Sequence, residues 1–295
     1  MAVGSTIYFN DLSTLRDTMN TILNGSAVGS GYNQGHAVAA NPATGDLIDD
    51  AYYDSLYSAA AKIANFYNIT NPFTAVNAGT VVSWSHYGSN AASFNSTLTT
   101  QHAAPWTYAV DWDTSVSSVL SSSVSNWNAA HTFDFNLTFS STAHMNSWFT
   151  AGGDIRISAS HNSSADAQAA SWQQLCTELG TFVISVQPTN STNVDLATVK
   201  KYSELGTSYA TIKQEYANDT YYSMNTIQVQ AYKSATVVYV RVIIDDAHVG
   251  GTYGTQTGSD IVSGTTTVSV SSRTTSNATG SVVIAAPTYN VTSNL

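Results

Sequence analysis

Two stretches decide the fold: Phe133-Asp134-Phe135-Asn136-Leu137-Thr138-Phe139 and Val237-Val238-Tyr239-Val240-Arg241-Val242-Ile243-Ile244. In the first, Phe133, Phe135, Leu137 and Phe139 alternate with Asp134, Asn136 and Thr138, the period-two pattern of a strand with one apolar and one wet face. The second is a β-branched and aromatic run, which reads as a central strand buried on both faces. Further strands are expected at 80–86, 155–160, 182–187, 227–232, 266–271 and 282–286, separated by turn-forming clusters. Many short strands of this kind argue for an antiparallel β-sandwich or jelly-roll-like body. Short helices are expected to interrupt it at 143–149, 167–179 and 194–204. The stretch 95–126 is ambiguous, with Trp106, Trp112 and Val119 as its clear anchors.

Upstream the period is helical. Asn10 serves as an N-cap, Leu12, Leu15, Met19, Ile22 and Leu23 recur at helical spacing, and Asn24-Gly25 supplies a stop. A loop is expected over 25–41. A second helix over 47–67, about 30 Å long at 1.5 Å per residue, aligns Ile48, Tyr52, Leu56, Ala60, Ile63 and Tyr67 before Asn71-Pro72 ends it. The expected organisation is a helical N-terminal assembly segment, 1–75, and a β-sandwich-like body with short inserted helices, 76–295. The fold class is mainly β with N-terminal helices, α+β overall.

The 295 residues are 43% hydrophobic, enough for a substantial core, yet only 9% are charged. Nine Lys and Arg against nineteen Asp and Glu give a net charge of −10, and no Lys or Arg lies between Lys62 and Arg156. Counterion-releasing contact with nucleic acid needs basic residues, so nucleic acid is not an expected partner. A neutral surface of Ser, Thr, Asn and Tyr suits coverage by neighbouring subunits. The single cysteine, Cys176, excludes an intrachain disulfide and fits a buried apolar role in a reducing cytosol. No signal-like or membrane-length apolar stretch is visible, so neither export by a signal nor a membrane partner is expected.

Few residues carry recognisable chemistry. Asp111 and Asp113, two apart on a strand, would point one way and offer a hard cation two carboxylates; no third oxygen ligand is visible nearby, and solvated strand or turn positions are the plainer explanation. Asp245, Asp246 and His248 end the strongest strand, where an Asp beside a His orients a general base or binds a metal. No nucleophile elbow, paired-His helix or cysteine partner accompanies them. Gly250-Gly251 makes a turn the plainer explanation. Tyr216, Tyr221 and Tyr222 form an aromatic group suited to subunit contact or to sugar stacking. No cofactor, nucleotide or metal is expected.

At Met145-Asn146-Ser147-Trp148-Phe149-Thr150-Ala151-Gly152-Gly153-Asp154-Ile155-Arg156-Ile157-Ser158-Ala159-Ser160 the chain resembles a segment of virion structural proteins from contractile-tailed marine and cyanobacterial phages. Gly31-Tyr32-Asn33-Gln34, Ser171-Trp172, Leu179-Gly180-Thr181, Asp245-Asp246-Ala247-His248 and Ala286-Pro287-Thr288-Tyr289 look similar to that family's segments in the same order. Two departures are an Asn three residues before Phe149 rather than after the aromatic pair, and Ala247 inserted before His248. Physically, Gly152-Gly153 lets a short helix turn abruptly into a strand, and Arg156 on that strand is placed to pair with Asp154 or Glu178.

The resemblance implies presence in the virion, after assembly in a host cytoplasm. The leading expectation is a non-enzymatic, oligomeric scaffold or adaptor at the neck, tail or baseplate, with fibre attachment included. Its partners are itself, as a trimer or ring, and other virion proteins. The structural and interface residues expected to carry this are Phe149, Gly152, Gly153, Ile155, Arg156, Trp172, Tyr52, Leu56 and Ile63. The alternative is a tail or neck fibre protein binding a host surface glycan, and the third reading is a virion-associated hydrolase.

Overall fold

The computed structural model describes residues 9–27, 30–36, 38, 50–67, 69–77, 90–103, 111–112, 118–163, 166–186, 199–253, 256–258, 260–276, 282 and 284–294. It is a mixed structure of five α-helices and two five-stranded, mainly antiparallel sheets among these residues, and it divides into two compact units. The first comprises Met1–Asp113, Asn146–Gly152 and Thr275–Ala285; the second comprises Thr114–Met145, Gly153–Thr274 and Ala286–Leu295. The helical unit thus continues beyond the expected boundary at 75 and takes back two later segments. No helix of the described residues is long and apolar enough to cross a membrane.

The first unit is built on α1 (Phe9–Asn24), α2 (Asp50–Tyr67) and α3 (Asn90–Ala103), with α1 packed against both others. Leu15, Met19, Ile22 and Leu23 of α1 are buried with Tyr52, Leu56, Ile63, Phe66 and Tyr67 of α2 and Leu98 of α3. The apolar stripe expected on the second helix is therefore covered by its own chain. After α1 the backbone turns back on itself so closely that a Cβ on Gly25 would lie 2.3 Å from the Ser30 carbonyl oxygen, which restricts the position to glycine. Tyr32, on that return, hydrogen-bonds Tyr67 Oη at 2.9 Å, and Tyr67 Oη meets His102 Nδ1 at 3.0 Å. A later segment also joins the unit: β13 (Thr275–Ser276) pairs antiparallel with β1 (Asp111–Trp112).

The second unit holds both large sheets. One runs β2-β12-β4-β5-β6, from Ser118–Trp127, Val262–Arg273, Asp154–His161, Thr181–Ser185 and Val199–Lys201; its only parallel pair is β5 with β6. The other runs β14-β3-β9-β8-β7, from Thr288–Asn294, His131–Thr138, Val237–Asp245, Thr226–Ser234 and Ala210–Tyr216, antiparallel throughout. A hairpin of β10 (Gly251–Tyr253) and β11 (Gln256–Gly258) stands apart from them. Helix α4 (Thr142–Thr150) follows β3, its residues from Asn146 onward belonging to the first unit, and α5 (Ala167–Leu179) joins β4 to β5. Asp166 caps α5, its carboxylate accepting from the Ala169 N–H at 2.8 Å. Trp172 of α5 is fully buried and meets Trp127 edge-on at 4.6 Å between ring centres.

The two decisive stretches are neighbours: Phe133, Phe135 and Leu137 of β3 lie opposite Val242, Val240 and Val238 of β9, all six buried. Both expectations for the other faces are corrected. β9 alternates, its second row, Val237, Tyr239, Arg241 and Ile243, being only half-buried. Conversely Asp134, expected on a wet face, is 8% exposed. The cause is its partner across the strand, Arg241, which donates to its two carboxylate oxygens at 2.7 and 2.9 Å while lying over the Tyr209 ring.

Two further expectations are corrected. The helix over 194–204 is, in its described part, strand β6 followed by a single 3-10 turn, Tyr202–Glu204. Residues 282 and 284–286 lie outside any strand, with Val282 buried in the helical unit's core; the last strand is β14. The ambiguous stretch contains α3 at one end and β2 at the other. The strand expected at 80–86 lies outside the described residues.

Candidate functional site

Of the residues singled out by sequence, Asp246 and His248 come together with others that pattern reading does not mark. Asp246 follows β9 and is 6% exposed. Its two carboxylate oxygens accept from one amide nitrogen, Gln168 Nε2 in the first turn of α5, at 3.0 and 2.8 Å. Asn225, at the entry to β8 and fully buried, accepts the His248 backbone N–H through its side-chain oxygen at 3.2 Å. The His248 ring lies against Tyr222, with ring centres 4.7 Å apart. A Cβ on Gly258 would come within 2.9 Å of the same imidazole, so glycine permits the β10-β11 hairpin to close over it.

Burial pushes the Asp246 carboxyl above the ordinary carboxylate range, against the opposing pull of the Gln168 and Asn225 side chains and the His248 backbone N–H. A second polar group flanks the α5 N-terminus. The other oxygen of Asp166 accepts from Ser263 Oγ, and His161 bridges Thr266 Oγ1 at 2.9 Å and the Ser263 carbonyl at 3.0 Å. Burial lowers the His161 pKa, the Ser263 carbonyl partly opposing it.

These contacts tie two loops, 217–225 and the stretch 246–250 with 260–261, to the β8 and β9 ends and to α5. Within the first loop, Asp219 Oδ1 accepts the Tyr221 N–H at 2.7 Å, and Ala217 N–H donates to the Asn225 carbonyl at 2.9 Å. In the second, the Gly250 N–H donates to Asp260 Oδ1 at 3.0 Å. Carboxylates and amides are here engaged in holding backbone. Among the described residues, no three His, Cys, Asp or Glu side chains converge to hold a metal ion.

The remaining sequence-marked residues fall elsewhere. Asp245 ends β9 opposite Thr226; Asp111 pairs with Ser276 in β1; Asp113 lies outside the described residues. Phe149 is fully buried, and Gly152, at φ 99° in the left-handed region, donates to the Phe149 carbonyl at 2.9 Å in the turn after α4. Arg156 Nε reaches Asp154 Oδ1 at 3.2 Å, the nearer of its two expected partners. Arg273, which no pattern marks, shares that 3%-exposed carboxylate through Nη2 at 2.6 Å. Ile155 packs fully buried beside it on β4. Cys176 is buried and its thiol pushed up to about 12, a poor nucleophile.

No protein-family model, no curated protein and no solved structure matches this chain.

Proposed function

We propose that the chain is a non-enzymatic structural protein of a tailed-phage virion, which acts by assembling with itself and with neighbouring virion proteins at the neck, tail or baseplate. The observation that carries the reading is the use made of its charged groups. Asp134, Asp154 and Asp246, the described carboxylates buried most deeply, are held by Arg241, by Arg156 with Arg273, and by Gln168. A catalytic carboxylate needs access to substrate, whereas these hold strands and loops in register. The ordered resemblance to phage virion proteins and the weakly charged surface support the same conclusion.

We also read the second unit as a β-sandwich-like body. In support, α5 packs against β4 and β12 of one sheet and against β7 and β8 of the other, while β2 approaches β3 and β14. The run β7-β8-β9 stays in one sheet as a meander, which favours a plain sandwich over the jelly-roll-like variant.

A fibre protein that binds a host glycan is the second reading, favoured by the exposure of Tyr216 and Tyr221. Native mass spectrometry of the purified chain tests the first. The expected result is a closed oligomer, a trimer or a ring, of the 31.3 kDa chain. A monomer at tens of micromolar, with binding to host cells, would replace it with the second reading.

A further inference from the structure

The described residues include six large hydrophobic side chains that are clearly exposed, and five of them, Tyr216, Tyr221, Met224, Val249 and Ile261, sit on or beside the two tethered loops. Their exposures run from 43% to 70%. Surface hydrophobics scattered singly need no explanation, but a group on one loop cluster does. The loops are held together: Asn225 accepts from the His248 backbone, Tyr222 packs on His248, and Gly250 donates to Asp260. Tyr221 precedes Tyr222, Met224 precedes Asn225, Val249 follows His248 and Ile261 follows Asp260. The buried polar junction thus prepositions a surface that a partner need not order on binding.

Charge decides what the surface fits. From Gln214 to Tyr232, and from Val242 to Ser272, there is no Lys or Arg, while Asp219, Asp245 and Asp260 lie within those stretches; Glu215 is taken up by an ion pair with Lys213. Exposed Tyr, Met and aliphatic side chains on loops that carry carboxylates and no cation complement an apolar protein surface bearing Lys or Arg. Two copies meeting through this same patch would set acidic rims against each other. A glycan rewards flat aromatic platforms and polar groups, yet three of the five side chains, Met224, Val249 and Ile261, are not aromatic.

We infer that this loop cluster is the docking face for a second, different protein that presents an apolar centre with a basic rim. The inference rests on the assembly reading and names the kind of neighbour it requires.

The test is selection of a displayed library of random twelve-residue peptides on the full-length oligomer. Selected peptides should pair aromatic or aliphatic residues with flanking Lys or Arg and should bind less tightly as salt rises. Binding should fall about tenfold in Tyr221→Ser/Met224→Ser/Ile261→Ser. It should also fall in Asp219→Asn/Asp260→Asn, which removes charge while keeping the oxygens that accept from Tyr221 and Gly250. Both variants should keep the wild-type melting temperature and oligomeric mass.

Peptides without basic residues, or unchanged binding in both variants, overturn the inference while leaving the oligomer, and the assembly reading, intact. Loss of oligomeric mass in the triple variant makes a second copy the occupant and also overturns it. So does binding of a glycan array that the triple variant abolishes. A wild-type chain that is monomeric removes the assembly reading itself.

Discussion

In the β14-β3-β9-β8-β7 sheet, the row opposite the apolar one consists of long side chains locked to each other. Asp134 is clamped by Arg241, Arg241 lies over Tyr209, and Tyr232 stacks on Tyr239 with ring centres 4.3 Å apart. In the β2-β12 pair of the other sheet the corresponding row is short and hydroxylic. Ser121, Ser123 and Ser125 meet Ser269, Thr267 and Thr265 in a ladder of 2.7 to 2.8 Å hydrogen bonds. Both rows are satisfied, but by bonds of different weight: a partly buried, charge-assisted pair loses much when one partner goes, whereas exposed hydroxyls turn to water. The β3-β9 row is therefore expected to carry stability and the β2-β12 ladder to tolerate change, while the Asp154 clamp with Arg156 and Arg273 holds β4 to β12 elsewhere in the second sheet.

The most severe challenge is to the core shared by β3 and β9. Phe135 is fully buried, so Phe135→Ala should cost about 3–5 kcal/mol in chemical denaturation. A loss below about 1 kcal/mol would deny that sheet its role. Next comes the clamp. Arg241→Met keeps the stem over Tyr209 but leaves the Asp134 carboxylate the Tyr209 hydroxyl at 3.4 Å in place of its charged partner, and should cost about 2–3 kcal/mol. Asp134→Asn in that background should recover part of the loss, because the stranded charge is gone.

A smaller effect belongs to Asp246. Its folded-state pKa is raised by burial, so the ionised form is the costly one. Stability should fall as pH rises from the ordinary Asp value through the raised one. Asp246→Asn should flatten that slope in melting curves taken between pH 4 and 7, and an unchanged slope would contradict the assigned cause. The smallest effect is expected in the hydroxyl ladder: Ser123→Ala should lie within about 0.5 kcal/mol of wild type. If it approached the Arg241 variant, the contrast between the sheets would fail.

Legibility in the sequence follows the same contrast. β3 and β9 are readable because large apolar residues recur at every second position. β2 is not, because Leu120, Ser122 and Val124 interrupt their own apolar row with serine, and the opposite row runs through Ser121, Ser123 and Ser125 between Val119 and Trp127. Strand β6 reads as helix by spacing, yet Val199 pairs in parallel with Val183, so tertiary pairing overrides a weak local preference. Val282 to Ala286 is apolar enough for a strand, but Val282 serves the helical core. At the candidate site, Asp246 and His248 are conspicuous as a cluster at a strand end. Gln168 and Asn225 are lone amides in separate segments, and nothing in a linear pattern announces that α5 and β8 bring them together.

The central claim, that this chain is a built-in component of a tailed virion, is tested most directly by cryo-electron microscopy of intact particles from the virus encoding it. The account predicts density for the chain at the neck, tail or baseplate, in a symmetric ring or trimer, with Tyr221, Met224, Val249 and Ile261 against a different protein. Absence of the chain from the particles would contradict it.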